Sequence, residues 1–513
     1  MAVVSRTARV IQNAKIALIF YCINLILQFF SRKIFLDYLG AELLGLNTTA
    51  QNLLQFLNLA ESGIGAAVAF ALYKPLSQNN RQEIIDIVSL QGWFYRWVGL
   101  FVIAGSIVLM AFFPWIFDKT EVPLIYAYGT FIAFLFSAIL GYFVNYKMIV
   151  LSADQKEYKI TIETQRVKVI KVFIQMWAIW QLPDGYLWWM VLEVFASILT
   201  SINLNRCIKN EYPWLTSRIN EGRSLNCQYP FILNKTKQLF FHKLGGFVLN
   251  QTTPLVIYFF YSLTVVAIYG NYLFVMSACL LFVDALARGF YAGVGNLVSK
   301  SDCSTIKKVF WELYTFKLCV AGVITHGIWY LSDSFITLWI GKEYVMPPVP
   351  LLLLTMTCFI QMSRTCDVFL GAMGLYRDVW APIIESALNL TLSILLGYYW
   401  GLSGVFLGVL LSQIVVVVGW KGYFLYMSGF KKSAREYFES YLKKIVLLTI
   451  ASILTTFFVD KVILFNITSF IDWVVVAFLT VVTNWILTGV LFLLFDDSFK
   501  LLILRVKQIL RKR

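Results

Sequence analysis

FYCINLILQFFSRKIFLDYLGAELLGLNTTAQNLLQFLNLAESGIG, residues 20–65, decides how the chain is read. Apolar residues fill it in runs long enough to cross a bilayer, and polar residues interrupt them at fixed steps. Asn24, Gln28 and Arg32 stand four apart, which places them on one face of a first helix. Asn47, Gln51, Gln55, Asn58 and Ser62 form a second stripe, with Glu61 beside it. A spanning helix needs about 20 apolar residues, and a polar stripe within one must face protein or a wet cavity.

The rest of the chain has the same texture. Of 513 residues, 59% are hydrophobic, 17% aromatic and 14% charged, and mean hydropathy is +0.73. That excludes an ordinary water-soluble enzyme and a disordered chain. Fourteen helices are expected, over 14–36, 44–72, 88–113, 122–150, 166–182, 186–205, 238–260, 265–298, 308–331, 350–375, 379–399, 403–426, 442–459 and 472–495. The N-terminal run lacks a cleavage site and reads as a retained first helix. Eight scattered cysteines and two histidines form no cluster with metal-ligand spacing, so no metal or other cofactor is expected.

A net charge of +15 is unusual on so apolar a chain. Position explains most of it. Thirty-two Lys and Arg fall in segments on one side of the expected membrane, and only Lys119, Lys342 and Lys461 on the other. The positive-inside rule makes the rich side, with both termini, cytoplasmic. Nucleic acid is not implied. Eight cations remain within spans or at their edges: Arg32, Lys33, Arg96, Lys243, Arg288, Lys317, Arg364 and Lys421.

LGLN at 44–47 and IYGN at 268–271 are offset by 224, and the turns at 183–185 and 402–404 by 219. Two six-helix halves and a terminal pair account for both offsets, and repeats of this kind place a substrate site between the halves. The expected fold is an all-α polytopic membrane protein of about 14 transmembrane helices: two pseudo-symmetric six-helix lobes around a central cavity, plus two C-terminal helices. Expected divisions are 1–206 for the first lobe, 207–236 for a cytoplasmic linker, 237–430 for the second lobe, and 431–513 for the last helices and basic tail.

Further stripes are Asp284, Arg288 and Asn296; Gln361 and Arg364; and Glu385, Asn389 and Ser393. Such residues serve either as helix–helix glue or as cavity lining. Arg32 and Lys33 snorkel outward or face the cavity. Asp284 with Arg288, and Arg364 with Asp367, are structural ion pairs or substrate ligands. Deep arginines on several helices point to an anion, because guanidinium binds phosphate bidentately and stays charged. The candidate cavity residues are Arg32, Asn24, Gln28, Asn47, Gln51, Asp284, Arg288 and Arg364. Glu61 and Glu385 are candidate coupling carboxylates, for a proton or sodium gradient, or else fixed partners of nearby arginines, a role that suits Glu385 the better.

SRKIFLDYLGAELLGLN (31–47), LAESGIGAAVAFALYKPL (59–76), LYRDVWAPIIESALNLTLSILL (375–396) and GLSGVFLGVLLSQ (401–413) resemble bacterial polysaccharide flippases of the Wzx type. These belong to the multidrug/oligosaccharidyl-lipid/polysaccharide exporter superfamily. With the 14-span layout, the resemblance covers most of the chain. It implies a multi-pass protein of the bacterial plasma membrane, with the fold of cation-coupled multidrug exporters. It implies transport of undecaprenyl-pyrophosphate-linked oligosaccharide, without bond chemistry, in contact with membrane lipids and with polysaccharide polymerase or ligase partners, by a monomer. Arg32 matches a first-helix cavity arginine, and Glu61 with Gly63 and Gly65 a second-helix motif. Tyr376, Arg377, Asp378, Pro382 and Glu385 match the cytoplasmic start of helix 11. Arg288 resembles a cationic position of related lipid-pyrophosphate flippases. A multidrug exporter and a lipid II flippase are the alternatives. A membrane glycosyltransferase, polymerase or acyltransferase would need a positioned acid or histidine, or a large outward loop.

Overall fold

The computed structural model describes residues 6–375, 380–462 and 467–511. Nineteen α-helices follow in order: α1 Arg6–Asn58, α2 Ile64–Gln78, α3 Arg81–Ala111, α4 Phe113–Ile116, α5 Leu124–Phe143, α6 Ile149–Ala153, α7 Glu157–Gln181, α8 Gly185–Glu211, α9 Gly222–Gln228, α10 Pro230–Phe260, α11 Leu263–Lys300, α12 Cys303–Trp339, α13 Pro348–Ser363, α14 Cys366–Ala372, α15 Ala381–Gln413, α16 Lys421–Phe424, α17 Ala434–Val462, α18 Phe470–Phe495 and α19 Asp497–Arg511. Two π-helical stretches, Ile414–Trp420 and Leu425–Phe430, flank α16. Among the described residues there is no strand.

Among these residues, nine helical pieces are long and apolar enough to cross a membrane. Two of them, Gln12–Glu61 and Ala381–Phe430, are 50 residues long, about twice what a span needs. Each contains a positive-φ glycine, Gly40 (φ 81°) and Gly401 (φ 61°), and so holds two spans. Helices α7, α10 and α12 have spanning length but carry more polar residues. Counted this way, the fold is an all-α polytopic membrane protein of about 14 spans. Its outer faces are oily: Leu442, Ile453, Phe457, Phe478 and Leu494 are exposed, as side chains facing lipid would be.

The expected boundaries need three corrections. The helix expected over 44–72 is interrupted at Leu59–Gly63 and continues to Gln78. Gly63 has φ 103°, and a Cβ there would lie 2.8 Å from the Thr236 carbonyl oxygen of α10. The left-handed backbone and the close approach both demand glycine. The stripe from Asn47 to Ser62 therefore does not run along one continuous face. The helix expected over 350–375 breaks at Arg364–Thr365, and that over 122–150 breaks at Val144–Met148.

The chain forms two compact units, Met1–Ala267 and Ile268–Arg513. In the first, α1 packs on α5, α7 and α10, and α8 packs on α5 and α7. The expected linker is ordered against α3: Arg218 pairs with Asp86 at 2.7 Å, and Gly222 sits against Trp93. In the second unit, α12 is surrounded by α13, α17, α18 and α19. Its core is aromatic, with Phe310, Trp311, Tyr314, Phe369, Tyr426 and Tyr437 buried together. Such rings bury large areas and fix their partners by edge and stacking geometry. Within this core Lys444, stacked 4.8 Å from the Trp311 ring, is ion-paired with Asp496.

Candidate functional site

Each unit holds a polar centre at a break in a helix. In the first unit the centre is Glu61, in the turn between α1 and α2. The Tyr95 hydroxyl of α3 donates to Glu61 Oε1 at 2.7 Å. Tyr142 of α5 donates to Asn58 Oδ1 at 2.9 Å, lies within hydrogen-bond reach of Glu61, and meets the Tyr95 ring edge-on at 5.6 Å. Gln91, one turn before Tyr95, is buried on the same helix.

In the second unit the centre is Arg364, between α13 and α14. Its guanidinium pairs with Asp367 at 3.3 Å and with Glu385 of α15 at 3.3 Å. Lys421 pairs with Asp367 at 3.0 Å. The Lys317 ammonium of α12 donates to the Arg364 carbonyl at 2.7 Å, satisfying a backbone group freed by the break. Lys317 also lies within electrostatic reach of Asp284, so the acid acts across helices. Glu385 is 1% exposed and faces the Arg364 guanidinium.

The remaining candidates divide. Asn24 donates to Gln165 at 2.8 Å, joining α1 to α7. Asn47 accepts from Tyr186 at 2.7 Å, and Tyr186 bonds Thr130 in turn. Both are helix–helix contacts. Gln28, Gln51 and Asp284 are exposed, and Arg32 is half-buried. Lys33 pairs with Asp37 at 3.2 Å. The side chains of Arg288 and Asn296, and all of Tyr376, Arg377 and Asp378, lie outside the described residues. Sequence reasoning left Tyr95, Tyr142 and Gln91 unassigned, and noted Lys317 and Lys421 without a role. The i, i+4 spacing of Gln91 and Tyr95 was the available signal.

Outside the spans, on the basic side, Arg9 and Lys156 pair with Asp154 at 3.0 and 2.6 Å, and Lys156 and Lys159 pair with Glu211. Tyr212 donates to Asp154 at 2.7 Å. Burial alone would raise the Asp154 carboxyl, but the bonds from Lys156 and Tyr212 and the charges of Lys156 and Arg9 outweigh it and hold it below its usual range. Glu211 is lowered in the same way: burial opposes, and Lys156 and Lys159 prevail. The network ties the start of α1 to the α6–α7 turn and the end of α8.

The described residues form helical spans interrupted by polar, charged breaks, and solved membrane proteins share this fold. The chain is similar in shape to the lipid II flippase MurJ in an inward closed conformation, with TM-score 0.66 and 14% identity over 92% of this chain and 98% of that one. It is also similar to an inward-facing multidrug resistance MATE family transporter of the MOP superfamily, with TM-score 0.58 and 12% identity over 79% and 95%. No protein-family model and no curated protein matches the sequence.

Proposed function

We propose that the chain is a flippase that carries undecaprenyl-pyrophosphate-linked oligosaccharide repeat units from the inner to the outer leaflet of a bacterial plasma membrane, by alternating access, for surface polysaccharide. The observation that carries the reading is Arg32. It stands eight residues before the Gly40 turn, roughly 12 Å along the helix at 1.5 Å per residue. A guanidinium at that depth suits a pyrophosphate in charge and fork geometry. An undecaprenyl tail can stay in lipid while the headgroup crosses, so no bond is made or broken. Glu61 and Glu385 are the acids available for coupling, and Glu385 already faces Arg364. The alternative is lipid II itself, favoured by the likeness to a lipid II flippase. A multidrug exporter fits less well, because the first helix offers Arg32 at depth in place of an acid.

The test is transport by the purified chain in vesicles of a defined lipid-linked oligosaccharide, against lipid II. Arg32→Ala should reduce transport about 10- to 100-fold, the worth of one charged hydrogen-bonding partner, with Arg32→Lys intermediate. Full transport by Arg32→Ala overturns the anion-site reading. Transport of lipid II alone selects the alternative.

A further inference from the structure

Helix α19 follows α18 with one residue between them, Asp496, whose backbone is extended (φ −123°, ψ 115°). The chain therefore turns where the span ends. At 26 residues α18 is roughly 39 Å long, enough to cross a hydrocarbon layer of about 30 Å, so α19 begins at a membrane surface.

Two ion pairs give its direction. Asp496, just before the first turn, pairs with Lys444, whose ammonium lies 4.8 Å from the Trp311 ring of α12. Arg505, nine residues on, pairs through Nε with Glu312 at 2.6 Å and donates to it from Nη2 at 3.0 Å. Nine residues of helix advance about 13 Å, yet Trp311 and Glu312 are neighbours on α12. Helix α19 therefore crosses α12 instead of running along it, and lies in the plane of the membrane surface. Glu312 stands nine residues past Cys303, the first residue of α12, and four past the start of the apolar run expected at 308. That level is the boundary between headgroups and acyl chains, where in-plane amphipathic helices sit.

The inner side of α19 is fixed by Phe499, which packs on the aromatic core and meets Phe492 at 5.8 Å. Lys500, Leu504 and Lys507 recur at i, i+4 and i+7, on one face. All three are exposed, Leu504 by 54%, and so is Leu501 beside them. An apolar centre with a lysine on either side suits neither water nor hydrocarbon alone. At the boundary the leucines reach acyl chains, while the lysine stems carry their ammonium groups up to the phosphates. Lys500 pairs with Asp497 at 3.0 Å. Such an exposed pair is weak, and an ammonium has three donors to share.

We propose that the outward face of α19 binds anionic phospholipid of the leaflet on which it lies. Lys500 and Lys507 hold the headgroup phosphates, and Leu501 and Leu504 enter the acyl chains. Arg505 carries the effect inward: it is exposed while Glu312 is buried, so an occupied α19 holds the guanidinium over that acid and itself against α12. The inference needs only the membrane spans, and stands whatever the chain transports.

The experiment is hydrogen exchange read by mass spectrometry, on the full chain in nanodiscs of phosphatidylcholine, alone or mixed with phosphatidylglycerol. Amides of α19 should exchange more slowly in the mixed discs, by about 5-fold for each lysine at an anionic surface and about 25-fold for two. Raising the salt should remove the difference. Lys500→Gln combined with Lys507→Gln should lose most of the slowing while eluting as the wild type does. Leu504→Ser should speed exchange in both discs alike, because its contribution does not depend on headgroup charge. Equal exchange of the wild type in the two discs, or full slowing kept by the double variant, overturns the proposal. So does the same slowing by inorganic phosphate in detergent, since the face then takes a free anion and not a lipid. Slowing that follows the number of chains per disc and not the lipid charge makes the face an interface between copies, and overturns it too.

Discussion

Replacing Arg364 with leucine separates a structural guanidinium from a substrate ligand. Glu385 is 1% exposed, its Oε2 lies 3.3 Å from Arg364 Nη2, and its Oε1 has no hydrogen-bond partner among the described residues. Arg364→Leu would leave that carboxylate buried and unpaired, which costs about 3–5 kcal/mol. Asp367 keeps Lys421 at 3.0 Å and adds little to the loss. A unit of the length of Ile268–Arg513 shifts its midpoint by about 2–4 °C per kcal/mol. The expected fall is therefore about 6–20 °C. The double variant Arg364→Leu with Glu385→Leu removes both charges and should recover at least half of it. The assay is thermal unfolding followed by a thiol-reactive dye. Cys319, Cys358 and Cys366 are free and buried, and all three lie in the second unit. A fall of less than about 3 °C, or a double variant as unstable as the single, refutes the reasoning. Arg364 would then not be compensating Glu385, and its charge would be available to an anionic substrate.

Three further perturbations address other parts of the chain. Asp154 and Glu211 are held below the ordinary carboxyl range, so the stability they add is fully present above about pH 4 and is lost as pH falls through their lowered values. Fluorescence of Trp214, whose ring meets Tyr212 at 5.9 Å, should change over that acid range, and Asp154→Asn should show the acid-state signal at pH 7. Gly45→Ala would put a Cβ 1.9 Å from the Leu263 carbonyl oxygen, so α1 and the start of α11 must part by more than 1 Å. The expected cost is about 1–3 kcal/mol, read as a lower thermal midpoint. Asn145→Ala removes two neutral bonds, from Ser201 at 3.0 Å and Asn205 at 3.3 Å. It should cost about 1–3 kcal/mol, clearly less than Arg364→Leu in the same assay.

The spans were legible because a membrane helix is specified locally: an apolar run of sufficient length, bounded by polar residues, identifies itself. The breaks were not. Gly63 is visible as a glycine, but the interruption at Leu59–Gly63 is fixed in part by the approach of Thr236, more than 170 residues away. Partner choice was hidden for the same reason. Asp367 is three residues from Arg364 and is named by its spacing, whereas Glu385 reads as the partner of a nearby arginine without the sequence saying which one. Asn47 looked like one member of a stripe, and its use depends on Tyr186, 139 residues on. Tyr95 and Tyr142 carry no signal by themselves in the sequence, because tyrosine in an apolar run reads as core until the hydroxyl's partner is known.

The internal repeat gains a structural counterpart in these breaks. Asn145 interrupts the helix that follows Pro123, and Arg364 interrupts the helix that follows Pro347. The two positions are 219 residues apart, the offset that separates the turns at 183–185 and 402–404. Each unit thus opens a helix at the equivalent place, and the two openings are filled differently. In the first unit the filling is neutral, an amide held by Ser201 and Asn205 of α8. In the second it is ionic, with Arg364, Glu385, Asp367 and Lys421 bonded in series and Lys317 on the freed carbonyl. Helix geometry alone needs only the neutral solution, since the first unit achieves it. The charges at the second break therefore require a further reason, and a duplicated scaffold that differs in charge at one matched position locates it.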